Sequence, residues 1–203
     1  LRSHREALEA LNIYFDNWFS ERSMVNSGAI EETLTDLRNA DAVFDSDGAV
    51  WLRSTNWGDD KDRVLVKSDG EYTYLLPDVA YHRNKFERAE VLVNVWGADH
   101  HGYITRMHAA RSALGHKPEE LKIAITQMVR LQRGGQEVKL SKRTGDIVEL
   151  SEVIEEVGSD AARFTYLLLS VDSSQNFDLE LVAQQVNENP VFYVQYAHAR
   201  IHS

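Results

Sequence analysis

The sequence predicts an α/β chain, and two patterns carry that expectation. Helical and strand spacings alternate between Asp78 and Met128, and beyond residue 150 the spacing is helical to the end. Alternation of this kind forms one edge of a parallel sheet with helices packed on it. With 43% apolar and 27% charged residues over 203 positions, the chain has the composition of a globular protein. Its length gives room for one sizeable core, or one core and part of a second domain.

Taken in order, Leu8, Leu11, Phe15 and Trp18 recur at helical spacing and predict one amphipathic helix. A second helical stretch follows Ser27-Gly28 through Ile30, Leu34 and Leu37. Two hairpins come next. Val43-Phe44 and Val50–Leu52 flank an Asp47-Gly48 turn, and Val64–Val66 and Tyr72–Leu75 flank Asp69-Gly70. Pro77 suits the first turn of a helix over Asp78–Ala89. The run Val91–Trp96, ending at Gly97, predicts a strand buried on both faces. His101–Leu114 reads as a helix closed by Gly115, and Leu121–Met128 as a second strand. Ser159 is placed to cap a helix over Asp160–Ser170, a further helix is expected over Leu179–Asn187, and Pro190 starts the last.

Several functional classes are excluded by composition. With no cysteine, the chain has neither a disulfide scaffold nor a thiolate metal site, which fits a reducing cytosol. No apolar run reaches the roughly 20 residues of a membrane-spanning helix, and the first ten residues lack a signal-peptide core. A net charge of −10 argues against a broad nucleic-acid surface, while leaving local contacts open to the 22 Lys and Arg residues. Both termini read as cuts within a longer chain.

Three clusters are candidates for chemistry. Trp96-Gly97-Ala98-Asp99-His100-His101-Gly102 lies at the carboxyl end of the expected strand, where open α/β sheets bind ligands. A glycine there admits a ligand to the backbone, and Asp99 can accept from ribose hydroxyls. The same residues could form a plain polar turn. Metal binding is not expected, because neighbouring side chains on one element point apart. Lys139-Leu140-Ser141-Lys142-Arg143-Thr144-Gly145, after Arg133-Gly134-Gly135, makes a basic loop beside flexible glycines. Such a loop can close on a triphosphate, or be a solvated turn. Tyr74 and Asp78 stand four residues apart across a strand-to-helix junction. A buried carboxylate at Asp78 would select a guanidinium, whose planar fork matches two acceptor oxygens; alternatively Asp78 merely favours the positive helix end.

Together these residues resemble the arginyl-tRNA synthetases, a family of class I aminoacyl-tRNA synthetases. Lys139–Arg143 resembles the class I signature loop, with Leu140 where Met is usual. Gly58–Val64, Asp78–His82, Trp96–Tyr103 and Asn189–Arg200 resemble further blocks, in order, from about Leu11 to the end. The resemblance implies the second half of a Rossmann-like catalytic domain with an inserted α+β segment. The first helices of an all-α anticodon-binding domain would follow it. The implied division is 1–62 connective insertion, 63–150 catalytic half with the signature loop, 151–188 helical stem-contact region, and 189–203 anticodon-domain start.

The resemblance also implies ATP-dependent activation of L-arginine to arginyl-adenylate and transfer to tRNA(Arg) by a monomeric cytoplasmic parent. Mg2+ would accompany the ATP, and no resident metal is implied. Tyr74 and Asp78 match arginine-binding positions; Gly97, Asp99 and His101 match the ribose turn; Met128 and Val129 match the strand end that meets adenine. Lys142, with Lys139 in support and Ser141 in the same loop, matches the group that stabilises the transferring phosphates. No HIGH-type motif is present, His4 and His116 lying in other contexts. The chain alone is therefore expected to be inactive, and its half-sheet to expose an apolar flank and self-associate. The alternatives are a synthetase-like module that binds tRNA or nucleotide without aminoacylating, and another adenylyl transferase.

Overall fold

A computed structural model describes residues 2–138, 148–184, 186 and 189–203. In chain order the elements are α1 (Arg2–Ala10), α2 (Glu21–Ser27), α3 (Ala29–Asn39), β1 (Val43–Ser46), β2 (Ala49–Leu52), β3 (Arg63–Val66), α4 (Leu75–Phe86), β4 (Leu92–Gly97) and α5 (Ile104–Ala113). There follow β5 (Leu121–Thr126), β6 (Val129–Arg133), β7 (Gln136–Glu137), α6 (Leu150–Val157), α7 (Ser159–Tyr166), β8 (Gln175–Asp178), α8 (Leu179–Ala183) and α9 (Pro190–Ile201). They fall into two compact units, one continuous over Trp18–Ile125, the other made of Leu1–Asn17 with Thr126–Ser203.

In the continuous unit, β1, β2 and β3 form an antiparallel sheet. Asp47 and Gly48 turn β1 into β2 with φ of 50° and 76°, the paired positive values of a two-residue hairpin. The second expected hairpin is shorter than its sequence pattern. Its far arm meets β3 at the Val66–Tyr72 bridge and through Thr73, whose N–H donates to the Leu65 carbonyl at 2.9 Å, and stops there because α4 has begun by Leu75. The core joins Leu52 and Leu65 of the sheet to Ile30, Leu76, Val79 and Met107 of the helices, all essentially inaccessible. Strand β4 pairs with β5 and is buried on one face only. Leu92 and Asn94 point inward while Val93 and Val95 remain 61% and 63% exposed, which corrects the expectation of burial on both faces. The apolar run marks a two-sided strand whose second face no described element of this unit covers.

The second unit also departs from its sequence pattern. Helix α1 stops at Ala10 and includes neither Phe15 nor Trp18. Asn12 adopts a φ of 54°, with Ile13 N–H donating to Leu8 C=O and Asn12 N–H to Glu9 C=O, each at 2.9 Å. This left-handed stop satisfies the last carbonyls and overrides the apolar spacing. The region after residue 150 is not all helix, because β8 runs parallel to β6, with Val129 opposite Gln175 and Leu131 opposite Phe177. Helix α7 ends at Tyr166 and is preceded by Gly158, so Ser159 is its first residue and not its cap. Phe177, Ala162 and Leu179 form the centre of this unit's core.

Candidate active site

Helix α4 presents the first site residue. Pro77 lies in its opening turn, where a missing N–H costs nothing, and Leu76, Val79 and Ala80 bury the inner face. Tyr74 precedes the helix and is 94% exposed. Asp78 is half-buried, and burial pushes its carboxyl above the ordinary carboxylate range. The nearby Tyr103 hydroxyl works the other way, Glu21 of α2 adds to the rise, and Lys85 and His100 oppose it. The Tyr103 oxygen is itself buried beside that acid. Burial and the Asp78 charge raise the phenol's own pKa, so it keeps its proton.

The second cluster belongs to the same unit. Strand β4 delivers Gly97 into a 3-10 turn over Ala98–Tyr103. A Cβ on Gly97 would meet Asp99 Oδ1 at 2.7 Å, so glycine lets the carboxylate fold back over the backbone. Asp99 is open to solvent with His100 Nε2 3.7 Å from its Oδ2, and His101 is exposed. Trp96 sets its ring edge-on to Tyr103 with centroids 6.0 Å apart, which ties the turn to the Asp78 neighbourhood. Thus Asp78, Tyr103, His100 and the Gly97–Asp99 turn gather in one unit.

Sequence reasoning missed Tyr103 as Asp78's neighbour. It also missed a buried polar network behind Asp78, formed by His82, Lys85 and Asn94. One signal was available: Asn94 is the single polar residue within the apolar run Val91–Trp96.

Met128 and Val129 belong to the other unit. Met128 is 72% exposed, and Val129 opens β6. Lys139, Ser141 and Lys142 lie outside the described residues. The glycines before them are not the flexible pair expected. Gly134 and Gly135 close β6 onto β7 with φ of 58° and 77°, and their N–H groups donate to Asp178 at 3.1 and 2.7 Å. Gly135 and the other backbone donors draw the Asp178 carboxyl below its usual range.

The Gly58–Val64 block has a structural explanation. Arg63 donates from Nε and Nη2 to the two Asp59 oxygens, each at 2.8 Å, and its Nη2 also reaches Asp60. This fork holds the turn before β3 against the strand.

Residues 3–203 match the family described as tRNA synthetases class I (R), catalytic domain. The chain belongs to that family. Among curated relatives of this class I synthetase domain, the arginine–tRNA ligase of Geobacillus thermodenitrificans is 55% identical over 97% of the chain. Arginine–tRNA ligase 1 of Halalkalibacterium halodurans is 52% identical over 99%. The chain spans only 35% and 36% of those two relatives' length. A solved Campylobacter jejuni structure described as an arginyl-tRNA synthetase superposes with a TM-score of 0.89 at 40% identity, covering 98% of this chain and 43% of that one. The Thermus thermophilus arginyl-tRNA synthetase shares the mixed α/β fold, with a TM-score of 0.77 at 20% identity over 97% of this chain and 43% of its own.

Proposed function

We propose that this chain supplies the arginine pocket and the ribose turn of an arginine–tRNA ligase, an enzyme that activates L-arginine with ATP and loads tRNA(Arg). The half-buried Asp78 carboxylate beside the Gly97–Asp99 turn is the observation that carries this reading. A guanidinium entering against Asp78 supplies the cation that burial otherwise denies the acid, so binding and ionisation reinforce each other. Tyr74, one helical turn earlier, packs over the arginine side chain. Asp99 takes the ribose hydroxyls, Gly97 leaves room for them, and His101 stands at the edge of the same turn.

Met128 and Val129 meet adenine through their backbone, and Lys142, aided by Lys139 and Ser141, stabilises charge on the departing pyrophosphate. Mg2+ enters with ATP as part of the substrate. In this reading residues 63–150 are the second half of a Rossmann-like domain, 1–62 its connective insertion, 151–188 a stem-contact region and 189–203 the start of an anticodon-binding domain. Catalysis rests on placing the arginine carboxylate in line with the α-phosphate, and no covalent nucleophile on the protein is needed.

The test is arginine-dependent ATP–pyrophosphate exchange, with tRNA present, in a protein of the relatives' full length that carries this chain. Asp78→Ala should raise the KM for arginine roughly a hundredfold, since truncating one partner of a desolvated charge pair costs on the order of 2–5 kcal/mol. An unchanged KM would remove Asp78 from the pocket. The chain alone should give no exchange, because the rest of the phosphate-binding site has to come from the remainder of such a protein.

A further inference from the structure

Behind Asp78 runs a hydrogen-bond chain with both ends fixed by chemistry. The Asp78 backbone carbonyl can only accept, so His82 donates to it from Nδ1–H at 2.7 Å. His82 Nε2 is then an acceptor, and it receives Asn94 Nδ2–H at 2.7 Å. Asn94 Oδ1 accepts in turn from Lys85 Nζ at 2.8 Å, and an ammonium can only donate. Every role along the chain follows from its neighbour, so the Asn94 amide and the His82 tautomer each have one arrangement. Lys85 also lies over the Tyr81 ring, 4.6 Å from its centroid, and among the described residues no carboxylate lies within salt-bridge distance of it. Burial and the Lys85 charge hold His82 down to about 4, so the imidazole is neutral as the chain requires. Burial likewise brings Lys85 down to about 8, where Asp78 holds it up and Arg88 opposes.

A half-buried cation without a paired acid is costly, and its placement here does two things. Through Asn94 and His82 it ties the first turn of α4 to β4, the strand that carries Gly97. It also adds positive potential at the Asp78 carboxylate. The other groups bearing on Asp78 are Glu21 from α2, which disfavours its charge, and His100 and the Tyr103 hydroxyl from the 3-10 turn, which favour it.

We infer that Lys85 is a positioning residue for Asp78, locking the arginine-binding turn of α4 to the strand that carries the ribose turn. The inference rests on the proposed role of Asp78. In the full-length protein carrying this chain, KM and kcat for arginine are measured across the neutral and mildly acidic range for the parent, Lys85→Met, Lys85→Arg, Lys85→Gln and Asp78→Ala. Lys85→Met should raise the arginine KM roughly tenfold, the scale of one charge-assisted contact, with kcat little changed.

The sign of the pH effect is fixed. Without the cation the Asp78 acid protonates more readily, so arginine affinity is lost at a higher pH as the solution is acidified. Lys85→Arg should restore the parent profile. Lys85→Gln keeps a donor for Asn94 and removes the charge, so it should fold and still show the upward shift. A Lys85→Met or Lys85→Gln profile that overlays the parent, or a loss confined to kcat, overturns the role of Lys85. If Asp78→Ala leaves the arginine KM unchanged, the reading of Asp78 itself fails.

Discussion

Arg63 meets Asp59 with two parallel N–H donors, and the two side chains are only 12% and 3% exposed. At this scale the energetics are set by what remains after one partner is removed. Arg63→Met would leave the Asp59 carboxylate buried and unpaired, and stability should fall by about 3–5 kcal/mol. Replacing both partners, as Asp59→Asn with Arg63→Met, should recover part of that loss. Urea unfolding monitored by tryptophan fluorescence reads both variants; an unmoved midpoint for the single variant would show the pair to be dispensable. Hydrogen bonds from Arg63 depress the Asp59 carboxyl. Its contribution is therefore present above the unfolded carboxylate pKa and fades as pH falls through the lower folded value.

Among elements, the joint formed by β6, β7, β8 and α8 depends on one side chain. Asp178 caps α8 by accepting from Glu180 and Leu181 N–H, while also holding Gly134 and Gly135 from a turn 44 and 43 residues earlier. Asp178→Ala should cost about 1–2 kcal/mol, the upper range for a lost cap. Amide exchange at Gly134, Gly135 and Leu181 should accelerate together; acceleration at Leu181 alone would mean the turn is held otherwise. Since the carboxyl is depressed in the folded state, this support persists above the unfolded pKa and is lost on acidification.

The same elements separate what sequence could tell from what it could not. Asp47-Gly48, Gly115, Pro77 and the Asn189-Pro190 start of α9 carry their instruction locally, in backbone angles or missing donors, and each was legible. Strand β8 was not. Its Gln-Asn-Phe-Asp has one apolar residue, and it is a strand because β6 pairs with it and Gln175 donates to the Thr165 carbonyl. Nor could periodicity say that Asn12 would stop α1. At the site, the type and spacing of Asp78, Gly97 and Asp99 were visible in the sequence. Tyr103 and the Lys85–Asn94–His82 chain were not, because their meaning lies in contacts between elements.

For the whole molecule, the outer face of β4 is the conspicuous exposed feature. Val91, Val93 and Val95 offer water a two-sided strand's second face, 50%, 61% and 63% exposed. The isolated chain should therefore associate, its light-scattering mass rising with concentration. Val93→Thr with Val95→Thr should weaken that rise while retaining strand propensity. A constant monomer mass at every concentration would show the face to be benign. No described helix is long and apolar enough to cross a membrane.

The discontinuous unit has a consequence in time. Arg163 donates to the carbonyls of Leu11 and Asn12 across 152 and 151 positions of chain. Among the described residues every core partner of the Trp18–Ile125 unit, by contrast, lies within its own uninterrupted stretch. On a ribosome, which issues residues in order, the middle of the sequence is complete while its beginning still lacks its partner. The segment over residues 1–17 is thus settled only after the unit that follows it in the chain.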